Sequence, residues 1–276
     1  MVRRLILIAI LLGGASLNGC SSLGVSEPSP VYGGILPHHL LVEKEIDAFY
    51  KTLENPNIDR IIVISPNHFN YGYNAIRTTD ETLGAGGVAA LETKNFELEH
   101  GITVHETFIK KYFPKASVTP VIIKFGTEQT RLDRLVDQIV RMDLTHTLIL
   151  ASIDFTHMDP ESIAVKNDER TLSWLNQISE KPILLEEVRQ LAKTTNPEPA
   201  WDSVAMDSPE SLYVLVRVMQ AKGATSFKKW ARTSSASLIP GLDPSQNTSH
   251  IFGTFTGKMF PAQDPYSVGS YKPKSE

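Results

Sequence analysis

Six of the eight histidines in this 276-residue chain fall in four short polar clusters. "GGILPHH" ends in His38 and His39, "RIIVISPNH" in Asn67 and His68, and "LILASIDFTH" in Asp154 and His157. "ELEHGITVH" carries Glu99, His100 and His105, and only His146 and His250 stand apart. Neutral imidazole binds first-row transition metals. Two imidazoles with one carboxylate form a facial set that leaves positions open for dioxygen or substrate. Each cluster also has a plain reading: a lone His after a strand is commonly a surface group, and Glu99 suits a helix cap that complements the dipole. The recurrence of four clusters at one kind of position points instead to a shared site. The carboxylate is the least determined member, because Asp154, Asp202 and Asp207 all qualify. Asp207 is also a candidate N-cap, since "MDSPESLYVLV" opens a helix with Pro209 in its first turn.

The elements that must position these residues follow from periodicity. "RIIVIS", "VTPVIIKF" and "THTLILAS" are short apolar runs of strand length. Val42, Ile46, Phe49 and Leu53 recur at helical spacing, as do Val104, Phe108 and Ile109, and then Leu132, Leu135, Val136 and Ile139. Residues 161–193 read as helical with a break near Pro182, and Leu212, Leu215, Val218 and Met219 mark a later helix. "SFKKWARTS" and "HIFGTFTGKMF" read as closing strands, the last antiparallel. Strands alternating with helices predict an α/β fold: a single domain over 32–262 with a central, mostly parallel sheet flanked by helices. Ligands of such sheets gather beyond the carboxyl ends of strands, where three of the clusters lie. The Gly-rich stretch 70–87 reads as a loop that lines the pocket and sets the substrate.

Composition narrows the function classes. The formal net charge is −4, and no basic run carries interleaved aromatic residues, so no nucleic-acid partner is expected. Arg3 and Arg4 precede the apolar run "LILIAILL", and "LNGC" closes the segment at Cys20. This pattern reads as a signal peptide over 1–19. "LNGC" resembles a bacterial lipobox, which implies cleavage before Cys20 and lipidation of its thiol. Residues 20–31 then form a flexible tether, and the expected location is the cell envelope, with the protein anchored to a membrane through lipid. Cys20 is the only cysteine, so no disulfide within the chain is possible and no other thiolate exists for a metal. Residues 263–276 read as a loose tail.

Taken in order, "GGILPHH", "ISPNHF", "EHGITVH" and "ASIDFTH" resemble the Memo family, also called AmmeMemoRadiSam system protein B. The resemblance implies the fold of class III extradiol dioxygenases, which use a His-His-carboxylate iron centre. Pro37 and His38 match the family's Pro-His-Ala-Gly, with His39 and Leu40 in place of Ala and Gly. "SPNH" matches Gly-Pro-Ser/Asn-His with Ser65 in place of Gly, which makes His68 the second metal position. Glu99 and His100 match Glu-His-Ser with Gly101 in place of Ser. Asp154 and His157 match Ser-Ser-Asp-Phe-x-His, with Ile153 in place of the second Ser. Many family members carry a Cys as third ligand where this chain has Asp207.

The resemblance therefore implies a divalent metal on His38, His68 and Asp207, with Asp154 the other candidate for the carboxylate. An Asp ligand favours Fe(II), and Zn or Cu also suit imidazole-rich sites. His100 or His157 is then the candidate general acid/base, and Asp154 the group that orients an imidazole. The expected function is a metal-dependent oxidoreductase of extradiol-dioxygenase type on an unidentified small molecule. Two others compete: a non-catalytic surface metal-binding or interaction protein, and a zinc hydrolase in which Glu99 or His157 shuttles the proton. A functional link to a radical-SAM protein is also implied by the family.

Overall fold

Residues such as Ile61, Ile62, Val63 and Ile64 belong to a strand covered on both sides, and the computed structural model shows where each side chain goes. It describes residues 30–85, 87–91 and 96–257. The expected leader, Cys20, nearly all of the expected tether and the expected C-terminal tail lie outside the described residues.

In chain order the elements begin with β1 (Val31–Leu36), α1 (Glu43–Leu53), β2 (Arg60–Pro66), β3 (Ile76–Thr78), α2 (Glu81–Ala85) and β4 (Ala90–Leu91). They continue with α3 (His100–Tyr112), β5 (Ser117–Ile123), α4 (Gln129–Arg141), β6 (Thr147–Ser152), β7 (Phe155–His157) and α5 (Glu161–Leu175). The last are α6 (Leu185–Leu191), β8 (Val204–Met206), α7 (Pro209–Ala221), β9 (Ser226–Ser234), α8 (Ser235–Leu238) and β10 (Ser249–Thr256). Eight strands form one sheet in the order β4-β3-β5-β2-β6-β1-β10-β9, and β7 and β8 form a separate pair. The strands β5, β2, β6 and β1 run parallel in the middle, while β10 and β9 close one edge antiparallel. This is the single α/β domain with a mostly parallel sheet that the periodicity predicts.

Strand alternation divides the core in two. Ile61 and Val63 join Leu148, Leu150 and Phe252 on the face covered by Ile46, Phe49 and Tyr50 of α1 and Phe108 and Ile109 of α3. Ile62 and Ile64 join Ile149 and Ala151 on the opposite face, under Leu132, Leu135 and Ile139 of α4 and nearly all of α7. A parallel strand flanked by helices has no wet face, so its apolar run is continuous. The predicted helical break near Pro182 separates α5 from α6.

The stretch 70–87 departs from the expectation of a substrate-setting loop. Its centre is β3, paired antiparallel with β5, followed by α2, so this stretch largely builds the sheet edge. Arg77 is fully buried there; its Nη1 donates to the Tyr71 carbonyl, and its guanidinium lies 5.5 Å from the Phe96 ring centroid. A charged residue in a three-residue strand carries none of the alternation from which strands are read.

Candidate metal centre

Sheet order explains the convergence. β6 lies between β2 and β1, so the carboxyl ends of three adjacent strands deliver His68, Asp154 and His38 to one place. Asp207 arrives by another route. The β7–β8 pair sets Phe155 opposite Met206, and the Asp207 backbone N–H donates to the Asp154 carbonyl at 3.1 Å. The N-cap of α7 is Ser208, whose hydroxyl accepts the Ser211 N–H. The plain reading of Asp207 as the cap is thereby overturned, because Ser208 does that work and leaves the Asp207 carboxylate to face His38 and His68.

Asp207 Oδ2 lies 3.2 Å from His38 Nε2 and 3.6 Å from His68 Nε2. Asp154 Oδ2 lies 3.5 Å from His38 Nε2, while its Oδ1 accepts the His38 backbone N–H at 3.1 Å. The imidazoles of His38 and His68 meet edge to face with centroids 4.8 Å apart, and His100 lies against His68 at 4.0 Å with its ring tilted by 30°. Two overlapping sets have ligand atoms all within 4.8 Å of one another: His38, His68 and His100, and His38, Asp154 and Asp207. Asp202 is in neither set.

The far nitrogens are already engaged. His68 Nδ1 is 2.5 Å from Glu99 Oε1, and the His68 backbone N–H donates to Glu99 Oε2 at 3.0 Å. Glu99 is fully buried and also caps α3 by accepting the Gly101 N–H, as the plain reading of a helix cap expects. With its oxygens turned to His68 and Gly101, Glu99 is placed to orient an imidazole. His38 Nδ1 is 2.9 Å from Ser152 Oγ. Asp207 Oδ1 is buried with no hydrogen-bond partner among the described residues. Two Nε2 atoms aimed at one carboxylate, Nδ1 atoms held by other groups and an orphaned carboxylate oxygen together fit a divalent ion.

The electrostatics follow from this packing. Burial works to raise the Asp207 carboxyl, but hydrogen bonds from His38 and His68 hold it well below the ordinary carboxylate range. Burial works to lower His68, yet Asp207 and Glu99 outweigh it and bring the imidazole up to about 9. His38 is raised in the same way, by Asp154 and Asp207 against its burial. His100, half-exposed beside two other imidazoles, is lowered by burial and then by His68 and His38.

A pH prediction arises here. In the metal-free protein a raised imidazole contributes stability that is fully present below its unfolded value of 6.5 and is lost as pH rises through about 9. The His68 contribution is at most about 3 kcal/mol. The melting temperature in chelator is therefore expected to fall between those pH values. Affinity for a divalent ion is expected to rise over the same window, because the ion competes with protons on His38 and His68. Melts in chelator and in metal, run in parallel across the window, check both signs.

His157 lies on β7, with Nδ1 3.5 Å from Thr248 Oγ1 and Nε2 buried without a partner among the described residues. His250 has no signal in the sequence, being a lone imidazole on a strand. The structure brings its Nε2 to 2.9 Å from His39 Nδ1, with Thr233 Oγ1 3.2 Å from its other nitrogen. Burial pushes His250 down to about 4. His105 is likewise inside the assembly: its Nε2 is 3.0 Å from Ser152 Oγ.

The sequence model of one family, described as Memo-like protein, matches residues 33–238. A "MEMO1 family protein" from Pyrobaculum arsenaticum is 27% identical over 171 residues, covering 54% of this chain and 61% of the relative. One from Metallosphaera sedula is 22% identical over 195 residues, covering 62% of this chain and 68% of the relative. The chain thus spans about three fifths to two thirds of the length of these curated relatives. A solved structure titled as uncharacterized protein JW3007 from Escherichia coli K12 aligns at a TM-score of 0.43 with 13% identity, over 80% of this chain and 99% of that one.

Proposed function

The chain belongs to the Memo-like family, and from that premise we propose that it is a metal-dependent oxidoreductase of extradiol-dioxygenase type, with a divalent ion on His38, His68 and Asp207. The observation that carries this reading is the reach of one oxygen, Asp207 Oδ2, to both Nε2 atoms at 3.2 and 3.6 Å. Asp154 has one oxygen tied to the His38 backbone, which suits it to orient that imidazole. His38, His68 and Asp207 would hold Fe(II), which a His₂-carboxylate set favours and which would supply the redox chemistry for oxidation by dioxygen. His100 is half-exposed with its ring 4.0 Å from that of His68, placed to hold or move a proton at a bound substrate. His157 is the second candidate for that work. Phe69 is half-exposed with its ring 5.9 Å from His100 and 5.3 Å from Tyr71, an apolar lip suited to a flat aromatic substrate.

Anaerobic reconstitution with Fe(II), followed by oxygen uptake on catechols, tests the proposal. Stoichiometric iron and substrate-dependent uptake are the expected result. Failure of the intact protein to take up iron would end it. A second reading, a non-catalytic metal-binding protein, draws support from His100, whose imidazole completes a three-His set with His38 and His68. It predicts tight binding without turnover, and His100→Ala then weakens affinity; in the catalytic reading that substitution leaves affinity near normal and slows uptake. The leader that ends at Cys20 supports a lipid-anchored protein of the cell envelope. Among the described residues no helix is long and apolar enough to cross a membrane.

A further inference from the structure

His38 and His68 are backed by different chemistry. Behind His68 is an anion, Glu99, at 2.5 Å. Behind His38 is a hydroxyl, Ser152 Oγ, at 2.9 Å, and behind that hydroxyl is another imidazole, His105 Nε2, at 3.0 Å. Ser152 and His105 are both fully buried. They come from the last residue of β6 and the second turn of α3, so the chain of contacts runs beneath the pocket from the sheet into a helix.

A serine hydroxyl carries one proton and can donate to only one of the two imidazoles. Where that proton goes to one of the two imidazoles, its direction links their tautomers. When Ser152 donates to His105 Nε2, it accepts from His38 Nδ1–H, and His38 Nε2 presents a lone pair beside Asp207. When Ser152 donates to His38 Nδ1 instead, His38 Nε2 carries the proton and donates to Asp207 Oδ2, which blocks a ligand position. The first arrangement requires a neutral imidazole behind Ser152 with a free lone pair. Burial keeps His105 neutral by pushing it down to about 3.

We propose that His105 is a positioning residue for the metal centre, acting through Ser152 to hold His38 in the tautomer whose Nε2 lone pair faces the ion. The inference rests on the reading of His38 as a metal ligand.

Titration of the metal-free protein with Co(II), followed by its d–d absorption, is the test, with melting temperature recorded for each variant. His105→Leu and Ser152→Ala are each expected to weaken Co(II) binding about 10- to 100-fold, the usual effect of losing a group that orients a ligand. The double variant is expected to bind as weakly as Ser152→Ala alone, because both changes cut one chain. His105→Gln is expected to restore affinity, since its amide oxygen can accept from Ser152. A merely structural role moves the melting temperature and leaves affinity and the Co(II) spectrum alone. Ser152→Ala removes a single atom and His105→Gln keeps a polar partner, so both stay readable even where His105→Leu does not fold. Undiminished Co(II) affinity in Ser152→Ala, or losses that add in the double variant, would overturn the inference while leaving the metal centre standing. A wild-type protein that takes up no Co(II) or Fe(II) defeats the centre and this inference together.

Discussion

Asp207→Ala is expected to leave a folded protein that no longer retains a divalent ion. The fold survives because the imidazoles have an exit: without Asp207, His68 keeps Glu99 and His38 keeps Asp154, so neither is left as an unpaired buried charge. The full penalty of an unpaired buried charge, about 3–5 kcal/mol, is thereby largely avoided. Affinity has no such exit. Asp207 Oδ2 is the carboxylate oxygen that approaches both Nε2 atoms, and no water or backbone oxygen replaces its charge. The loss should exceed the roughly 100-fold that marks the upper end for groups merely orienting a ligand. Asp154→Asn is the matched control. It keeps an oxygen for the His38 backbone N–H and should cost far less. Metal content after dialysis, with a circular dichroism melt of each variant, decides the matter. Stoichiometric metal in Asp207→Ala, with loss in Asp154→Asn, would transfer the third ligand to Asp154.

What could be read in advance was whatever a local pattern encodes. The apolar runs of β2, β5 and β6 carry enough length to announce buried strands, and their polar termini mark the carboxyl edge where a ligand sits. The clusters around His38, His68 and Asp154 are visible for that reason, and the one around His100 because it opens a helix. Contacts made across long sequence separations are not. Ser152 meets His105 across 47 positions, and His39 meets His250 across 211. The three-residue strands β7 and β8 are too short for any period, yet their pairing carries Asp207 to Asp154. At the start of α7 residue type does not separate Asp207 from its neighbour Ser208, since both are good caps. Only the Ser208–Ser211 hydrogen bond resolves it.

Gly101→Ser should damage both stability and metal binding, and Ser65→Gly should repair it. A Cβ built on Gly101 would lie 2.0 Å from Ser65 Oγ and 3.2 Å from Ser65 Cβ. Rotating the Ser65 hydroxyl relieves the first contact. The second remains, and a serine at 101 brings a hydroxyl of its own into a fully buried seam. The strain falls on the first turn of α3, where Gly101 N–H binds Glu99 and Glu99 holds His68. Overpacking of this kind costs about 1–3 kcal/mol, and shifting Glu99 should weaken the metal site as well. The resemblance to the Memo family has Gly where Ser65 stands and Ser where Gly101 stands. This chain therefore carries the same two residues exchanged across the contact between β2 and α3, with one side chain filling one space. A double-mutant cycle tests that account through melting temperature and metal affinity. The single variant Gly101→Ser loses on both measures, and Ser65→Gly alone leaves a small cavity. The double variant recovers beyond the sum of the two. A Gly101→Ser protein that melts and binds metal like the parent would show that the two positions do not share this space.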